Sequence, residues 1–357
     1  MLESVEWDSF TLSQIFNRIE QGRRLKKDDQ ILGKIPFVMA GVTNTGVVNY
    51  ISNPVASFPA NSITVDIFGN AFYRSYAFGA GDDTGVYWND EIEYSPRAMI
   101  FLTSVISKSL LGKYSYGSKL RSSQSFGFKI RLPVKNGNLH LDFMENFVAE
   151  LEAQRTAELE AYLSAAGLKD YRLTAEEKQA LAAFEQRKWA KFNLETLFGN
   201  ATRGKRLKSD DRISGCLPFV TAGEADTGIS AFIGNPVHRF KANTVTIDMF
   251  GSAKYRNYEY GADDHVAVVH TDELEKMAVL FITSAIHKAA YTGEFHYGRN
   301  FYAKDADDLM INLPVKDGEP DYAYMQTLIS AVQKQVIKDV VRYADEKIAA
   351  TKTVTAR

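Results

Sequence analysis

The chain is 357 residues long, 45% hydrophobic and 24% charged, a composition typical of an ordered globular protein of about two domains. Its 42 Lys and Arg residues balance 44 Asp and Glu residues at a net charge of −2, which excludes a uniformly basic coat but allows a local basic patch. The lone Cys216 excludes an internal disulfide and a multi-cysteine metal site. Because there is neither a membrane-length apolar run nor a secretory signal pattern, we expect a cytoplasmic protein.

An internal repeat dominates the sequence. The pattern Trp-x-x-Phe-x-Leu at Trp7 returns at Trp189, an offset of 189 − 7 = 182, and 34 of the 70 positions in 7–76 are identical to those in 189–258. The two copies differ most in the divergent stretches, which are 84–99 and 107–129 in the first and 266–279 and 287–310 in the second. The chain is therefore a duplication with a shared frame and divergent patches.

The predicted elements follow the same order in both copies. Alternating β-branched residues predict a strand at 62–68, and a short buried helix follows at 97–111. The equivalent elements of the second copy are 244–250 and 277–290. Apolar residues spaced three and four apart then predict long amphipathic helices at 139–166 and 321–350, and a Thr-x-x-Glu capping box predicts a shorter helix beginning at Thr174.

These elements predict an α+β fold in which two similar globular domains alternate with helices. Each long helix has an apolar stripe too narrow to form a core alone, so we expect the two to pair as antiparallel, coiled-coil-like spacer helices with pseudo-two-fold symmetry. The alternative is that each helix packs on its own domain. A helix of about 24 residues would span about 36 Å, close to one turn of B-DNA. The predicted boundaries are 1–138, 139–187, 188–319 and 320–357.

The sequence lacks the common catalytic motifs. It contains no His-Glu-x-x-His, no Gly-x-Ser-x-Gly and no Asn-Pro-Pro-aromatic or Asp-Pro-Pro-aromatic motif. The stretch from Gly199 to Lys205 has the spacing of a phosphate loop, but Arg206 stands where Ser or Thr would meet magnesium. We therefore expect no catalytic residue, no metal and no cofactor, and we expect Asp66 and Asp248 to have a hydrogen-bonding role.

Each copy carries a cluster of basic residues at the same place, next to a glycine and before an Asp pair. The members are Arg23, Arg24, Lys26 and Lys27 in the first copy and Arg203, Lys205, Arg206 and Lys208 in the second. Such a segment offers cations and backbone N–H groups together, a combination that suits phosphate oxygens. The alternative is an ordinary solvated loop, but recurrence in both copies favours a function.

Aromatic and basic residues also alternate at two further places in each copy. The first pair of strings contains Tyr73, Arg74 and Tyr76, and Tyr255, Arg256 and Tyr258. The second pair lies in the divergent half and contains Tyr114, Tyr116, Lys119 and Arg121, and His296, Tyr297, Arg299 and Asn300. Arg, Lys and Asn pair with base edges, so these residues are candidates for base recognition, with loop drift as the alternative for the second pair.

This layout resembles the specificity subunits of type I restriction–modification systems, and the short chain with its close repeat is most similar to the type IIB variety. The resemblance covers essentially the whole chain and rests on ordered motifs found twice. These are the Trp entry at Trp7 and Trp189, the Gly-basic-Leu-Lys segment at Gly22 and Gly204, Pro-Phe-Val at Pro36 and Pro218, and the Leu-Pro-Val exit at Leu132 and Leu313.

The resemblance implies target-recognition domains at 1–138 and 188–319 that bind a split double-stranded DNA sequence. It also implies a non-catalytic subunit that docks DNA adenine methyltransferase subunits, and restriction subunits or a fused restriction–modification subunit. The two halves are unusually alike for this family, which bears on how different the half-sites are. Three other hypotheses remain. The chain could be an orphan DNA-binding protein, a self-contained DNA-modifying enzyme with unrecognised motifs, or a tandem module that binds protein or carbohydrate.

Overall fold

The computed structural model describes residues 2–55 and 57–355, and for 350–355 it gives the helical backbone. The described residues divide into two compact units. Unit 1 contains the chain up to residue 159 and from 347 onward, and unit 2 contains 160–346. Each unit combines small sheets with helices, so the predicted α+β class with two similar domains is confirmed.

Short strands form the frame of unit 1. They are β1 (Glu6–Thr11), β2 (Arg18–Gln21), β3 (Leu32–Val38), β4 (Val47–Ile51), β5 (Ser57–Phe58), β6 (Ser62–Asp66), β7 (Ala71–Arg74), β8 (Phe78–Ala80), β9 (Thr84–Trp88), β10 (Lys129–Lys135) and β11 (Asn138–Leu139). They pair in the orders β1-β10-β11, β2-β9-β6-β7 and β4-β3-β8-β5. The pairing of β3 with β8 is parallel and the other pairings are antiparallel.

The helices of unit 1 are α1 (Leu12–Ile15), α2 (Pro96–Leu110), α3 (Ser122–Ser125) and the part of α4 (Leu141–Ala165) before residue 160. Ser95 caps the N-terminus of helix α2, because its Oγ accepts from Ala98 N at 3.2 Å. Its apolar side chains pack with those of β6, and both Leu102 and Ile63 are fully buried. This central helix holds the sheet on which the candidate site is built.

Unit 2 repeats this frame. Its strands are β12 (Trp189–Asn193), β13 (Thr202–Arg203), β14 (Ser214–Val220), β15 (Ile229–Ile233), β16 (Thr244–Asp248), β17 (Ala253–Arg256), β18 (Gly261–Ala262), β19 (Val266–Val269), β20 (Met310–Lys316) and β21 (Glu319–Pro320). They pair in the orders β12-β20-β21, β13-β19-β16-β17 and β15-β14-β18. The helices are α5 (Ala175–Ala182), α6 (Leu194–Phe198), α7 (Lys276–Ala290), α8 (Ala303–Asp307) and α9 (Tyr322–Thr355). The two long helices are divided between the units, since α4 belongs to unit 2 from residue 160 and α9 belongs to unit 1 from residue 347.

The predicted secondary structure is confirmed apart from the ends of the two buried strands. Both were expected to run through Phe68 and Phe250, but they end at Asp66 and Asp248. The reason is that each carboxylate accepts hydrogen bonds from the backbone N–H groups two and four residues later, which closes a turn. The capping box at Thr174 is present, since Thr174 Oγ1 accepts from Glu177 N at 3.2 Å.

The pairing of the long helices remains a prediction. Within unit 2, Lys169 forms an ion pair with Glu160 in α4 and lies 3.9 Å from Asp345 Oδ1 in α9. Leu163, in the same end of α4, is fully buried. These contacts are compatible with paired helices at this end.

Candidate nucleic-acid interface

The basic segment of unit 1, residues 22–27, lies against the turn between β8 and β9. Arg23 N donates to Ala80 O at 2.9 Å. A Cβ on Gly22 would lie 2.2 Å from Gly81 O, so the close approach requires glycine. The side chains Arg23, Arg24, Lys26 and Lys27 are all exposed. The segment therefore presents cations to solvent from a backbone that is fixed in place.

The equivalent segment of unit 2 is fixed in the same way. Lys205 N donates to Ala262 O at 3.0 Å, and a Cβ on Gly204 would lie 1.7 Å from that oxygen. Asp263 adds a bond that unit 1 lacks, because its Oδ1 accepts from Leu207 N at 3.2 Å. The side chains Arg203, Lys205, Arg206 and Lys208 are exposed. The two basic clusters predicted from the sequence thus occupy equivalent segments, each with exposed side chains and a glycine held against a turn.

Unit 2 has a cleft of about 540 Å³ beside its basic segment. Arg206, Lys208 and His265 line it together with Arg212. The Arg212 guanidinium donates to Ser230 Oγ at 3.2 Å and lies 5.1 Å from the centre of the Phe219 ring. Sequence reasoning missed Arg212 and His265. A signal was present for Arg212, because a neutral glutamine occupies its position in the first copy.

Acidic groups lie close to a histidine beside this cleft. Among the described residues, Asp263, Asp264 and His265 offer ligand atoms that all lie within 4.8 Å of one another. His265 Nδ1 is 3.2 Å from Asp264 Oδ1, and Asp263 accepts from the Leu207 backbone. We therefore interpret these residues as support for the turn that carries the basic segment.

The Tyr-Arg strings place their arginines inside the units. Arg74 is only 1% exposed, and its guanidinium donates to Thr64 Oγ1 at 3.0 Å, to Tyr76 OH at 3.3 Å and to Thr45 O. Burial lowers the pKa of Arg74. Arg256, also 1% exposed, makes the same contacts with Thr246, Tyr258 and Thr227. Both guanidinium groups are therefore used within the fold.

This burial revises the role predicted for Arg74 and Arg256, because neither guanidinium is free to reach a base edge. Each instead fixes an exposed loop whose threonine, Thr45 or Thr227, has a positive φ of 52° or 54°. A non-glycine residue in that region is strained and needs support from its surroundings. The neighbouring Tyr73 and Tyr255 donate to asparagine side chains at 3.0 and 3.1 Å and are half-buried, whereas Tyr76 is 38% exposed and Tyr258 is half-buried.

The buried carboxylates Asp66 and Asp248 organise the turn after the central strand. Asp66 accepts from Phe68 N and Asn70 N at 2.9 Å and from Gly41 N at 3.0 Å. Asp248 accepts from the equivalent backbone groups at 3.0, 3.1 and 3.3 Å. The hydrogen-bonding role expected for both residues therefore agrees with their surroundings.

The divergent clusters form the same structure in both units. We call residues 115–118 and 296–299 the tip hairpins. In each, the first and last residues exchange backbone hydrogen bonds, both of 3.1 Å in unit 1 and of 3.0 and 2.8 Å in unit 2. The two central residues are tyrosine and glycine, at 116–117 and at 297–298. Loops that look unrelated in sequence thus share one backbone conformation.

The residues beside the tip hairpins differ in their contacts. Arg121 Nη1 donates to Asp82 O at 2.9 Å, and Gln21 Nε2 donates to the same oxygen at 3.0 Å. This links the exposed Arg121 to the strand that leads into the basic segment. In unit 2, Arg299 forms an ion pair with Glu294. Tyr114, Lys119 and Asn300 are half-buried, and His296 is exposed.

In unit 1 the structure therefore brings the basic segment and the end of the divergent loop to the same turn, which contains Asp82. In unit 2 the matching turn contains Asp263 and His265 and borders the cationic cleft. Within each unit, cations on fixed backbone lie beside a turn that differs between the copies. This is an arrangement suited to binding a phosphate backbone while contacting its bases.

Comparison with known proteins agrees with this geometry. Residues 4–161 match the family described as Type I restriction modification DNA specificity domain. The chain is 20% identical over 347 residues to the Type II restriction enzyme BgcI specificity subunit S.BcgI of Heyndrickxia coagulans, a match that covers 93% of this chain and 96% of that relative. The fold resembles the crystal structure of a Type-I restriction-modification system S subunit from M. genitalium, with a TM-score of 0.61 and 14% identity over 98% of this chain and 94% of that one.

Within the described ranges, no helix has the length and apolar character needed to cross a membrane. The family match covers the first unit, the second unit repeats the frame of the first, and the relative spans nearly the whole chain. The chain is therefore similar, in sequence and in fold, to specificity subunits of restriction–modification systems.

Proposed function

We propose that the chain recognises a bipartite DNA sequence, with one half-site read by each unit and an unread gap between them. The observation that carries this proposal is the duplicated basic segment, which a glycine brings against the backbone of a turn in both units. Beside it, the residues of the two copies differ. A shared phosphate-binding element with distinct neighbours is what two readers of different half-sites require.

We further propose that the chain performs no chemistry and directs partner subunits to the site. The partners would be DNA adenine methyltransferase subunits, with or without restriction subunits or a fused restriction–modification subunit, acting in the cytoplasm on double-stranded DNA. The relative from Heyndrickxia coagulans is itself named as the specificity subunit of a restriction enzyme, which supports this assignment.

Most of the proposed DNA contacts come from exposed residues of each unit. Phosphate contacts come from the exposed basic segments. In unit 2, the half-buried Arg212 and His265, which line the cleft, add positive charge beside them. Base contacts come from the tip hairpins and the residues beside them, including Arg121, and from the exposed Tyr76. Arg74 and Arg256 hold their loops in position without touching DNA.

The phosphate role can be tested by salt-dependent binding of the full chain, in complex with its partners. Arg24→Ala and Arg206→Ala should each weaken binding similarly on all sequences and lower the slope of log affinity against log salt by about one. Lys178→Ala, which removes an exposed lysine of α5, is the matched control and should leave the slope unchanged. A slope unaffected by both arginine changes would contradict the phosphate role.

The partner assignment can be tested by purification of a tagged chain from its native host. The expected result is a roughly stoichiometric protein that contains an Asn-Pro-Pro-aromatic motif. Recovery of the chain alone, with DNA binding intact, would support an orphan DNA-binding protein. Transfer of a methyl group from adenosyl-methionine to DNA by the pure chain would contradict the non-catalytic assignment.

A further inference from the structure

The tip hairpins place an exposed tyrosine in the turn of each divergent loop. Tyr116 is 81% exposed and Tyr297 is 85% exposed, so almost the whole ring of each faces solvent. Single exposed aromatic residues are common on protein surfaces. Here, however, the same ring occupies the same position in two units whose surrounding loop sequences have diverged.

Equivalent contacts anchor each hairpin to the turn that follows the central strand of its unit. Leu120 N donates to Ile67 O at 2.9 Å, and Phe301 N donates to Met249 O at 2.9 Å. Leu120 is 4% exposed and Phe301 is 1% exposed, so a buried side chain fixes each anchor. The tyrosine is thus held by a short turn that rises from a rigid base.

The immediate neighbours of the two rings differ. Lys119 Nζ lies 4.3 Å from the centre of the Tyr116 ring, which places a cation beside the tip in unit 1. In unit 2, the Tyr297 ring packs edge-on against Phe250 with centroids 5.3 Å apart. The tyrosine present in both hairpins suggests that both units make the same kind of contact with DNA. The different neighbours of each ring would then provide the specificity for each half-site.

Each turn has only two central residues. An added Cβ at Gly117 would meet nothing within 4 Å, so there is open space beside the tip of unit 1, whereas in unit 2 a Cβ on Gly298 would lie 3.1 Å from the His296 ring. Flat aromatic rings stack on any base, because every base has a π-face. Proteins that insert a wedge side chain between base pairs unstack that step and kink the duplex. The tip tyrosines have the shape and exposure required for such a contact.

We propose that Tyr116 and Tyr297 insert between adjacent base pairs, one in each half-site, as a stacking contact that tolerates any base. This inference rests on the proposed recognition of double-stranded DNA and adds how the bases are approached. Lys119 and Arg121 in unit 1, and Arg299 in unit 2, then contact the phosphates or base edges beside the opened step.

The test uses the full chain with its partners on a duplex that contains the mapped site, with thymines placed at successive base-pair steps. Permanganate attacks thymines that have lost stacking. We expect one hyperreactive step in each half-site with the unaltered chain. Tyr116→Ala should remove the signal in the first half-site only and weaken binding about 10- to 100-fold, while Tyr116→Phe should retain both. Tyr297→Ala should do the same in the second half-site.

Tyr50→Ala, which removes an exposed tyrosine of β4, is the matched control and should change neither readout. Because the tip rings are exposed, the melting temperatures of the variants should equal that of the parent chain. Binding without a hyperreactive thymine, or unchanged binding and reactivity in the Tyr116→Ala and Tyr297→Ala variants, would overturn the wedge while leaving DNA recognition intact. Failure of the unaltered complex to bind DNA would overturn both proposals.

Discussion

The two units of this chain share the contacts that close their turns, and they differ in the residues beside their basic segments. Arg74 and Arg256 make the same hydrogen bonds to equivalent partners, and Asp66 and Asp248 close the same turn. Even the tip hairpins keep one geometry while their sequences drift. The duplicated chain thus retains a scaffold and varies many of the residues that the scaffold presents.

The turn that carries the basic segment shows this variation most clearly. In unit 1, Asp82 O accepts from Arg121 and Gln21, which ties the divergent loop to the strand before the basic segment. In unit 2, Asp263 instead binds the backbone of the basic segment, and Arg212 lies in the wall of the adjacent cleft. The same turn thus accepts hydrogen bonds from different donors in the two units.

The largest expected effect is a change of specificity. Exchange of residues 84–129 for the equivalent segment of another specificity subunit should change one half-site and leave the other intact. The loss of affinity for the original site should be about 10³-fold or more, because specific binding exceeds non-specific binding by at least that factor. Methylation mapping would measure the new site. A change in both half-sites, or in neither, would contradict the assignment of one reader to each unit.

A smaller effect is expected from the frame itself. Asp66→Ala leaves the backbone N–H groups of Phe68, Asn70 and Gly41 without their acceptor, so the free energy of unfolding of unit 1 should fall by about 3 kcal/mol. Asp248→Ala should destabilise unit 2 similarly. Urea denaturation of the full chain measures both.

Asp28→Ala removes an exposed carboxylate of unit 1 and is the matched control, with an expected change within about 0.5 kcal/mol. If Asp66→Ala were as mild as this control, the turn would not depend on the carboxylate. The hydrogen bonds that both units share would then be a consequence of the fold and would contribute little to its stability.

The smallest expected effect is a change in the pH dependence of stability. It concerns a buried tyrosine hydroxyl that unit 1 has at a position where unit 2 has none. Tyr87 is 1% exposed and bonds Ser125 Oγ at 2.7 Å, whereas the second copy has valine there. Burial raises the pKa of Tyr87 to about 12. The unfolded chain loses the phenol proton at a lower pH than the folded chain, because the pKa of an exposed tyrosine is about 10. The contribution of the protonated Tyr87 to stability is therefore complete below pH 10 and is lost as the pH rises from about 10 to 12.

The Tyr87→Phe variant should therefore lose less stability than the parent chain over this interval, by on the order of 2 kcal/mol. Urea denaturation of the full chain at a series of pH values measures this difference in the free energy of unfolding. Tyr260→Phe, which installs the residue found in the first copy, is the matched change in unit 2, where burial also raises the tyrosine pKa. Identical alkaline profiles for parent and Tyr87→Phe would show that the hydroxyl does not titrate with unfolding.

The sequence predicted the repeat, the long helices and the basic clusters because each leaves a local pattern. It did not predict the burial of Arg74 and Arg256, because an alternating Tyr-Arg-x-Tyr string does not show which side of β7 or β17 faces inward. The sequence paired the two divergent clusters, but it did not predict that each forms the same hydrogen-bonded turn, since only tyrosine and glycine persist at their centres. Arg212 and His265 lie at the cleft through folding of separate segments, which residue spacing does not reveal.

The central claim is that two copies of one scaffold each read one half-site. A hydroxyl-radical footprint of the full complex on its mapped target tests it most directly. We expect two protected blocks separated by an unprotected gap, with Arg24→Ala weakening protection in one block and Arg206→Ala in the other. A single continuous protected block would contradict this model. Equal weakening of both blocks by Arg24→Ala alone, or by Arg206→Ala alone, would contradict it as well.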